Sequence, residues 1–150
     1  ASKLDFFKAK KIQVVWQCGA LYYEEYKVLE TADVLVKAFV ADMEQLYSAS
    51  DFVISRSGAA TLSELCCVGK PALLIPSPNV AENHQMHNAM ALANQNAALV
   101  VAESKLDEEF ETVFQSLLET SVQESLSVSI RKLARPEATI RIVDLIEEII

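Results

Sequence analysis

Residues 51–76 read DFVISRSGAATLSELCCVGKPALLIP and decide the fold. The stretch opens with a short apolar run at residues 52–54, whose aromatic and β-branched side chains are typical of a buried strand. A helical pattern follows at residues 59–68, and Gly69 supplies the stop that commonly ends a helix. A second apolar run occupies residues 72–75. Strand, helix and strand in this order predict a right-handed βαβ unit with parallel strands.

The same alternation continues on both sides of this stretch. Strands are predicted at residues 12–16, 34–37 and 97–101, and helices at 21–29, 42–50 and 82–95. Such an order predicts an α/β fold: a Rossmann-like parallel sheet with helices on both faces. Residues 1–10 read as the tail of a helix, so the first strand is expected to be missing from this sequence. From about residue 107 the pattern is only helical, and Pro136 separates two predicted helices.

Composition limits the kinds of protein this chain can be. At 150 residues and 51% hydrophobic content, the chain can bury one core of ordinary size, and we expect a single domain over residues 1–150. The net charge of −8, without a basic patch, argues against nucleic acid as a partner. Apolar runs stay short of the roughly 18 residues that span a bilayer, so a soluble chain is expected.

The turn after the central predicted strand is a candidate anion site. In a parallel sheet, ligands bind beyond the carboxyl ends of the strands, and here Ser57 and Gly58 lie directly before a helix. Free N–H groups and the helix dipole favour a phosphate at such a position. Glu64, further along this helix, can accept hydrogen bonds from ribose hydroxyls. The alternative interpretation is a plain tight turn followed by a solvent-exposed glutamate.

A second loop, at residues 76–89, is rich in amide and imidazole side chains that suit the hydroxyls and acetamido group of a sugar. Its two histidines, His84 and His87, have no carboxylate or cysteine at a spacing that would complete a metal site. The paired Cys66 and Cys67 lie in an apolar helical segment, where buried, unreactive thiols are expected.

Several motifs together resemble glycosyltransferase family 28, the bacterial cell-wall N-acetylglucosaminyltransferases with the GT-B fold. They are the Arg-Ser-Gly-Ala…Thr…Ser-Glu block at residues 56–64, the Gly-Lys-Pro at residues 69–71, Pro76, and the Gln-Met-His-Asn-Ala at residues 85–89. Upstream, residues 39–43 and 16–19 resemble the family's Phe-Ile-Asp-Asp-Met and Trp-Gln-Thr-Gly segments. The chain is thereby identified as the C-terminal, nucleotide-sugar-binding half of such an enzyme.

The resemblance implies a role for each motif in binding UDP-GlcNAc, which is a substrate; no cofactor or metal is expected. Phe39, the backbone of Val40, and Met43 are assigned to uracil, the turn at residues 57–61 to the diphosphate, and Glu64 to the ribose. The polar residues of the second loop are assigned to the GlcNAc hydroxyls or to the support of that loop. The implied donor-binding residues are Phe39, Val40, Met43, Ser57, Gly58, Ala59, Ala60, Thr61, Leu62, Ser63, Glu64, His84, Gln85 and Asn88.

The resemblance also implies an inverting transfer of GlcNAc to undecaprenyl-diphosphate-MurNAc-pentapeptide in peptidoglycan synthesis, at the cytoplasmic face of the plasma membrane. The family's N-terminal acceptor domain and its Gly-Gly-Ser-x-Gly phosphate loop are not in this sequence. We therefore assign no catalytic residue to this chain, and membrane and acceptor contacts are expected through the missing domain. Two alternatives stay open: the soluble subunit of a split transferase, and a non-catalytic nucleotide-sugar-binding module.

Overall fold

The computed structural model describes residues 1–149, apart from the side chain of Ala81. These residues form two compact units, a first unit over Ala1–Leu46 and a second unit from Tyr47 onward. Within the described residues, no helix is both long and apolar enough to cross a membrane.

The first unit is built around a two-stranded parallel sheet. It contains, in chain order, α1 (Leu4–Ala9), β1 (Val14–Gln17), α2 (Ala20–Tyr26), a 3₁₀ turn (Lys27–Leu29) and β2 (Val34–Lys37). Burial alternates along β2, where Val34 and Val36 are buried and Leu35 is exposed, because successive side chains of a strand point to opposite faces. α3 (Met43–Ala49) begins in this unit and ends in the second, and Asp42 Oδ1 caps it by accepting from Gln45 N at 2.9 Å.

The second unit contains a three-stranded parallel sheet in the order β3-β4-β5. Its elements are β3 (Val53–Ser55), α4 (Ala59–Val68), β4 (Ala72–Leu74), α5 (His84–Ala93), β5 (Leu99–Val100), α6 (Leu106–Leu117), α7 (Thr120–Arg131) and α8 (Ala138–Glu147). The central strand β4 is buried at all three positions, as expected when helices cover both faces of a sheet.

An aromatic cluster and aliphatic side chains from the strands and helices form the core of the second unit. Phe114 is fully buried, packs edge-on against Phe52 at 5.5 Å and stacks on Phe110 at 5.6 Å between ring centroids. Leu65 of α4 and Ile130 of α7 are also fully buried. Burying each such side chain contributes about 1.5–3 kcal/mol. Through Leu65, α4 is anchored in this core.

The predicted α/β order and parallel strands are confirmed, and two details are corrected. The helix predicted from residue 82 begins at His84, because Glu82 and Asn83 have left-handed φ angles of 52° and cannot continue a helical turn. The C-terminal helical region contains three helices rather than two, since the extended Glu119 (ψ 123°) separates α6 from α7.

Candidate functional site

The candidate site of the second unit lies at the carboxyl edge of its sheet. β3 and β4 are parallel neighbours, so the turn after β3 and the loop after β4 leave the sheet on the same side. These two connections lead into α4 and α5, each of ten residues. Two helix N-termini therefore meet at one edge, where ligands of open parallel sheets bind.

The N-terminus of α4 is open. Gly58 is its N-cap, no side chain caps the helix, and the first four N–H groups of any helix lack partners inside it. Gly58 has ordinary extended angles (φ −67°, ψ 144°), and a Cβ at this position would meet nothing within 4 Å. Because neither backbone nor packing requires glycine here, its smallness leaves space for a ligand. The exposed Ala59 and Ala60 extend this small-residue surface.

Hydrogen bonds join the turn after β3 to the first turn of α5. Ser57 is fully buried, and its Oγ donates to the carbonyl oxygen of Gln85 at 2.7 Å. Asn88 Nδ2 donates in return to the carbonyl oxygen of Ser57 at 3.1 Å. Ser77 N donates to Gln85 Oε1 at 2.9 Å, which adds the loop after β4 to the group. We call Ser57, Ser77, Gln85 and Asn88 the Ser57 cluster.

The approach to α5 has an unusual backbone. Asn83 is the N-cap of α5 in the left-handed region (φ 52°, ψ 28°), and its side chain does not cap the helix. Glu82 before it is also left-handed. Successive non-glycine residues in this region are uncommon and carry backbone strain, which tends to concentrate at ligand clamps. His84 follows directly and is exposed.

Glu64 is exposed on α4 and is held by a buried tyrosine. Tyr47 is buried, and its hydroxyl donates to Glu64 Oε2 at 3.1 Å. Burial, with the hydrogen bond to Glu64 and the negative charge of Glu64, raises the pKa of Tyr47 to about 12. Tyr47 therefore remains a donor at neutral pH and orients the carboxylate. The other residues of this helix predicted for the site are Thr61, which is half-buried, Leu62, which is buried, and Ser63, which is exposed and donates to Ala59 O.

Three predicted residues lie in the first unit, in the segment after β2 and at the start of α3. Phe39 is 74% exposed, which leaves its ring free to stack on a planar group. The N–H of Val40 donates to Gln17 Oε1 at 2.7 Å. The N–H of Val40 is therefore already occupied by Gln17 within the chain. Met43 is half-buried at the first position of α3.

A cavity lies beside the Ser57 cluster, at the ends of β4 and β5. Its volume is about 290 Å³, and it is lined by Pro76, Ser77, Pro78, Asn83, Met86, Ala102, Glu103 and Ser104. Arg56 forms an ion pair with Glu103 and donates to the carbonyl oxygen of Ile75 at 3.1 Å, so its charge is already balanced. The cavity is mainly apolar and is bounded by loops that carry predicted sugar contacts.

A larger groove, about 430 Å³, lies at the amino edge of the same sheet. Lys70 Nζ donates to the carbonyl oxygen of Ser50 at 2.6 Å, and Ser127 Oγ donates to that of Gly69 at 2.7 Å. Arg131 covers Gly69 so closely that a Cβ there would meet Arg131 Nε at 2.0 Å. Several polar groups of this groove are thus already bound to backbone oxygens or packed against the chain.

The two adjacent cysteines and the possible metal ligands are the remaining candidates for chemistry. Cys66 is buried and Cys67 is exposed, so the expectation of two buried thiols was wrong for Cys67. Burial, with the adjacent Cys67, raises the pKa of the Cys66 thiol. Within residues 1–149, no three His, Cys, Asp or Glu side chains are grouped so that they could hold a metal ion.

Sequence reasoning missed three residues that support the predicted binding residues through hydrogen bonds. Gln17, Tyr47 and Ser77 were not assigned to it, yet each bonds to a predicted binding residue. Only the strand-end position of Gln17 and the helical spacing of Tyr47 gave any signal, and both patterns are equally typical of packing.

Comparison with known proteins identifies the family. Residues 1–141 match the family described as the glycosyltransferase family 28 C-terminal domain. The chain belongs to this family. It is 49% identical over 146 residues to the UDP-N-acetylglucosamine--N-acetylmuramyl-(pentapeptide) pyrophosphoryl-undecaprenol N-acetylglucosamine transferase of Flavobacterium psychrophilum, and 50% identical over 148 residues to the protein of the same name from Christiangramia forsetii. These alignments cover 96% and 98% of this chain, which spans 40% of the length of each relative.

Solved structures agree with this family 28 membership. The crystal structure of MurG from Acinetobacter baumannii superposes with a TM-score of 0.80 at 31% identity, covering 91% of this chain and 41% of that protein. A glycosyltransferase of kitacinnamycin superposes with a TM-score of 0.67 at 22% identity, covering 91% of this chain and 34% of that protein. The second likeness shows the shared fold alone.

Proposed function

We propose that this chain binds UDP-GlcNAc and forms the donor half of an inverting transferase that adds GlcNAc to undecaprenyl-diphosphate-MurNAc-pentapeptide. The observation that carries the proposal is the open N-terminus of α4 at the carboxyl edge of the sheet. There, Gly58 leaves space that neither its backbone angles nor its packing requires. The names of the full-length relatives from Flavobacterium and Christiangramia support the choice of donor and acceptor.

The second unit supplies groups suited to the charged and sugar parts of the donor. N–H groups at the start of α4, from Gly58 to Thr61, are proposed to bind the diphosphate, where the helix dipole also favours negative charge. Glu64, oriented by Tyr47, is proposed to accept hydrogen bonds from the ribose hydroxyls. His84 and Gln85 are proposed to contact the GlcNAc hydroxyls. The first unit is proposed to hold uracil through Phe39, the carbonyl oxygen of Val40, and Met43.

The proposed reaction is a direct displacement at the anomeric carbon of GlcNAc. The acceptor hydroxyl forms the new C1–O bond as the bond from C1 to the β-phosphate oxygen breaks, and UDP leaves with the bonding electron pair. Donors fixed in advance at a helix terminus stabilise the charge that develops on the leaving group. The hydroxyl proton goes to a base that we do not assign to this chain.

Acceptor binding is proposed to belong to a preceding domain, as the resemblance to family 28 implies. Contact with the cytoplasmic face of the plasma membrane is proposed through the same domain. The chain is acidic, with 21 Asp and Glu against 13 Lys and Arg over the sequence. Such a balance does not favour attraction to anionic lipid, so membrane contact through another domain is the simpler arrangement.

A chimeric enzyme tests this proposal. Residues 1–150 would replace the matching C-terminal region of the Flavobacterium relative, and transfer of labelled GlcNAc to the lipid-linked acceptor would be followed. At limiting UDP-GlcNAc, transfer is expected to fall strongly in the Glu64→Ala chimera and to persist in a Glu124→Ala chimera. A chimera that binds UDP-GlcNAc without transferring it would favour the non-catalytic module, and one that binds no uridine nucleotide would refute the proposal.

A further inference from the structure

Ser57 stands apart from the other polar residues of the chain. Among residues 1–149 it is the one polar or charged residue that is buried, if tyrosine and cysteine are counted as apolar. Burying a hydroxyl costs free energy unless the group is hydrogen-bonded, and alanine would fill a similar volume without that cost. The hydroxyl is satisfied by one bond, from Oγ to the carbonyl oxygen of Gln85 at 2.7 Å. The serine at this position therefore indicates that its bond to Gln85 has a role beyond filling space.

The bond connects segments that are separate in the chain. Ser57 belongs to the turn that is proposed to bind phosphate, and Gln85 belongs to the first turn of α5, which is proposed to contact the sugar. Asn88 Nδ2 donates to the carbonyl oxygen of Ser57 at 3.1 Å, so the two segments exchange hydrogen bonds in both directions. Such reciprocal bonding fixes spacing and orientation together.

The same cluster orients the side chain of Gln85. Its Oε1 accepts from Ser77 N at 2.9 Å, which ties the loop after β4 to α5 and leaves the Nε2 group as the donor end of the amide. Ser77 also lines the neighbouring cavity of about 290 Å³. The position of this amide thus depends on Ser57 through the Gln85 backbone and on Ser77 through the Gln85 side chain.

We propose that Ser57 is a positioning residue: its hydroxyl sets the spacing between the phosphate turn and the sugar-contact turn, so that the chain favours a nucleoside diphosphate sugar over the nucleoside diphosphate alone. This inference rests on the proposed function. Ser57 itself touches no ligand in this scheme, because its side chain is fully buried. It acts through Gln85 and Asn88.

The test compares Ser57→Ala with Ser127→Ala. Ser127 makes the same kind of bond, from Oγ to the carbonyl oxygen of Gly69 at 2.7 Å, at the amino edge of the sheet. Affinities for UDP and for UDP-GlcNAc would be measured on the 150-residue chain by calorimetry or amide shifts. Ser57→Ala is expected to weaken UDP-GlcNAc by about fivefold and UDP by less than about twofold, as the loss of one neutral hydrogen bond suggests. Ser127→Ala is expected to leave the ratio of the two affinities unchanged.

Amide hydrogen exchange separates this inference from the proposed function. Ser57→Ala should make the Ser77 N–H and the first turn of α5 exchange several-fold faster, whether or not a nucleotide binds. If Ser57→Ala loses its fold, Ser57→Cys takes its place: its thiol donates only weakly, so the same faster exchange and the same selective loss of UDP-GlcNAc affinity are expected. Unchanged exchange, or an equal loss of affinity for both ligands, overturns the positioning role. Failure of the unmodified chain to bind either ligand overturns the proposed function instead.

Discussion

The two edges of the three-stranded sheet use similar parts in different ways. At both edges a serine hydroxyl donates to a backbone oxygen at 2.7 Å, and a glycine adjoins an end of α4. At the amino edge, Gly69 has a left-handed φ of 68° and is covered by Arg131. At the carboxyl edge, Gly58 has ordinary angles and open space around it. One glycine is required by the fold, and the other leaves room.

This difference is more informative than the size of the depressions. The amino-edge groove, about 430 Å³, is larger than the carboxyl-edge cavity of about 290 Å³. In the groove, however, the ammonium group of Lys70 and the hydroxyl of Ser127 already bind backbone oxygens. At the carboxyl edge, two helix N-termini have no side-chain caps. The uncapped helix N-termini, rather than volume, distinguish the edge at which we propose that a phosphate binds.

The largest expected effect comes from Gly69→Ala. A left-handed φ is costly for alanine, and the new Cβ would lie 2.4 Å from Arg131 Cγ, so the arginine must move. The free energy of unfolding is expected to fall by about 2–3 kcal/mol in urea titrations. Adding Arg131→Ala should restore the packing part and leave about 1 kcal/mol of backbone cost. If folded Gly69→Ala bound UDP-GlcNAc with a changed affinity, the assignment of Gly69 to stability alone would be contradicted.

Glu64→Ala is expected to have the next largest effect, on binding. Loss of hydrogen bonds to a charged carboxylate should weaken UDP-GlcNAc affinity by about 1.5–3 kcal/mol. The variant also leaves the buried Tyr47 hydroxyl without Glu64, which should lower stability by about 1 kcal/mol. Glu124→Ala, at the amino-edge groove, is the matched control. Equal affinities of Glu64→Ala and the unmodified chain, measured by calorimetry, would remove Glu64 from the site.

Gly58→Val sharpens the contrast between the two glycines. A branched side chain would enter the space before α4 and should reduce donor affinity by about tenfold, while stability changes by less than about 1 kcal/mol. A Cβ at this position meets nothing within 4 Å, so little of the effect is expected to come from packing within the chain. The donor affinity of Gly58→Ala should lie between those of the unmodified chain and Gly58→Val. Lost stability with retained affinity is the opposite of the expected result.

Tyr47→Phe should give the smallest effect, and the effect should depend on pH. The folded-state pKa of Tyr47, about 12, lies above its ordinary value of 10.0. Its contribution to stability is therefore complete below pH about 10 and is lost as pH rises through about 12. Near neutral pH the variant should be less stable by about 1 kcal/mol, and this gap should close under alkaline conditions. A gap that persists above pH about 12 would contradict the assignment.

The sequence predicted the element order because apolar runs and breakers are local signals. α4 was predicted with the bounds observed, Ala59 to Val68, since Gly69 marks its end. The predicted start of α5 was wrong, because Glu82 and Asn83 adopt left-handed φ angles, which residues other than glycine seldom do and which no local pattern predicts. The sequence placed Gly58 before α4 and Gly69 after it, but only their angles and neighbours show that the backbone requires glycine at position 69 and not at position 58. The roles of the predicted binding residues stay predictions.

The most direct test is an amide-shift titration of the isotope-labelled 150-residue chain with UDP-GlcNAc, using GDP-mannose as the control ligand. We predict selective shifts at residues 57–64 and 83–88, together with Val40, and none at residues 69–71 or 123–131. Shifts concentrated at the amino-edge groove, or none at millimolar UDP-GlcNAc, would contradict the assignment of the donor site to the carboxyl edge.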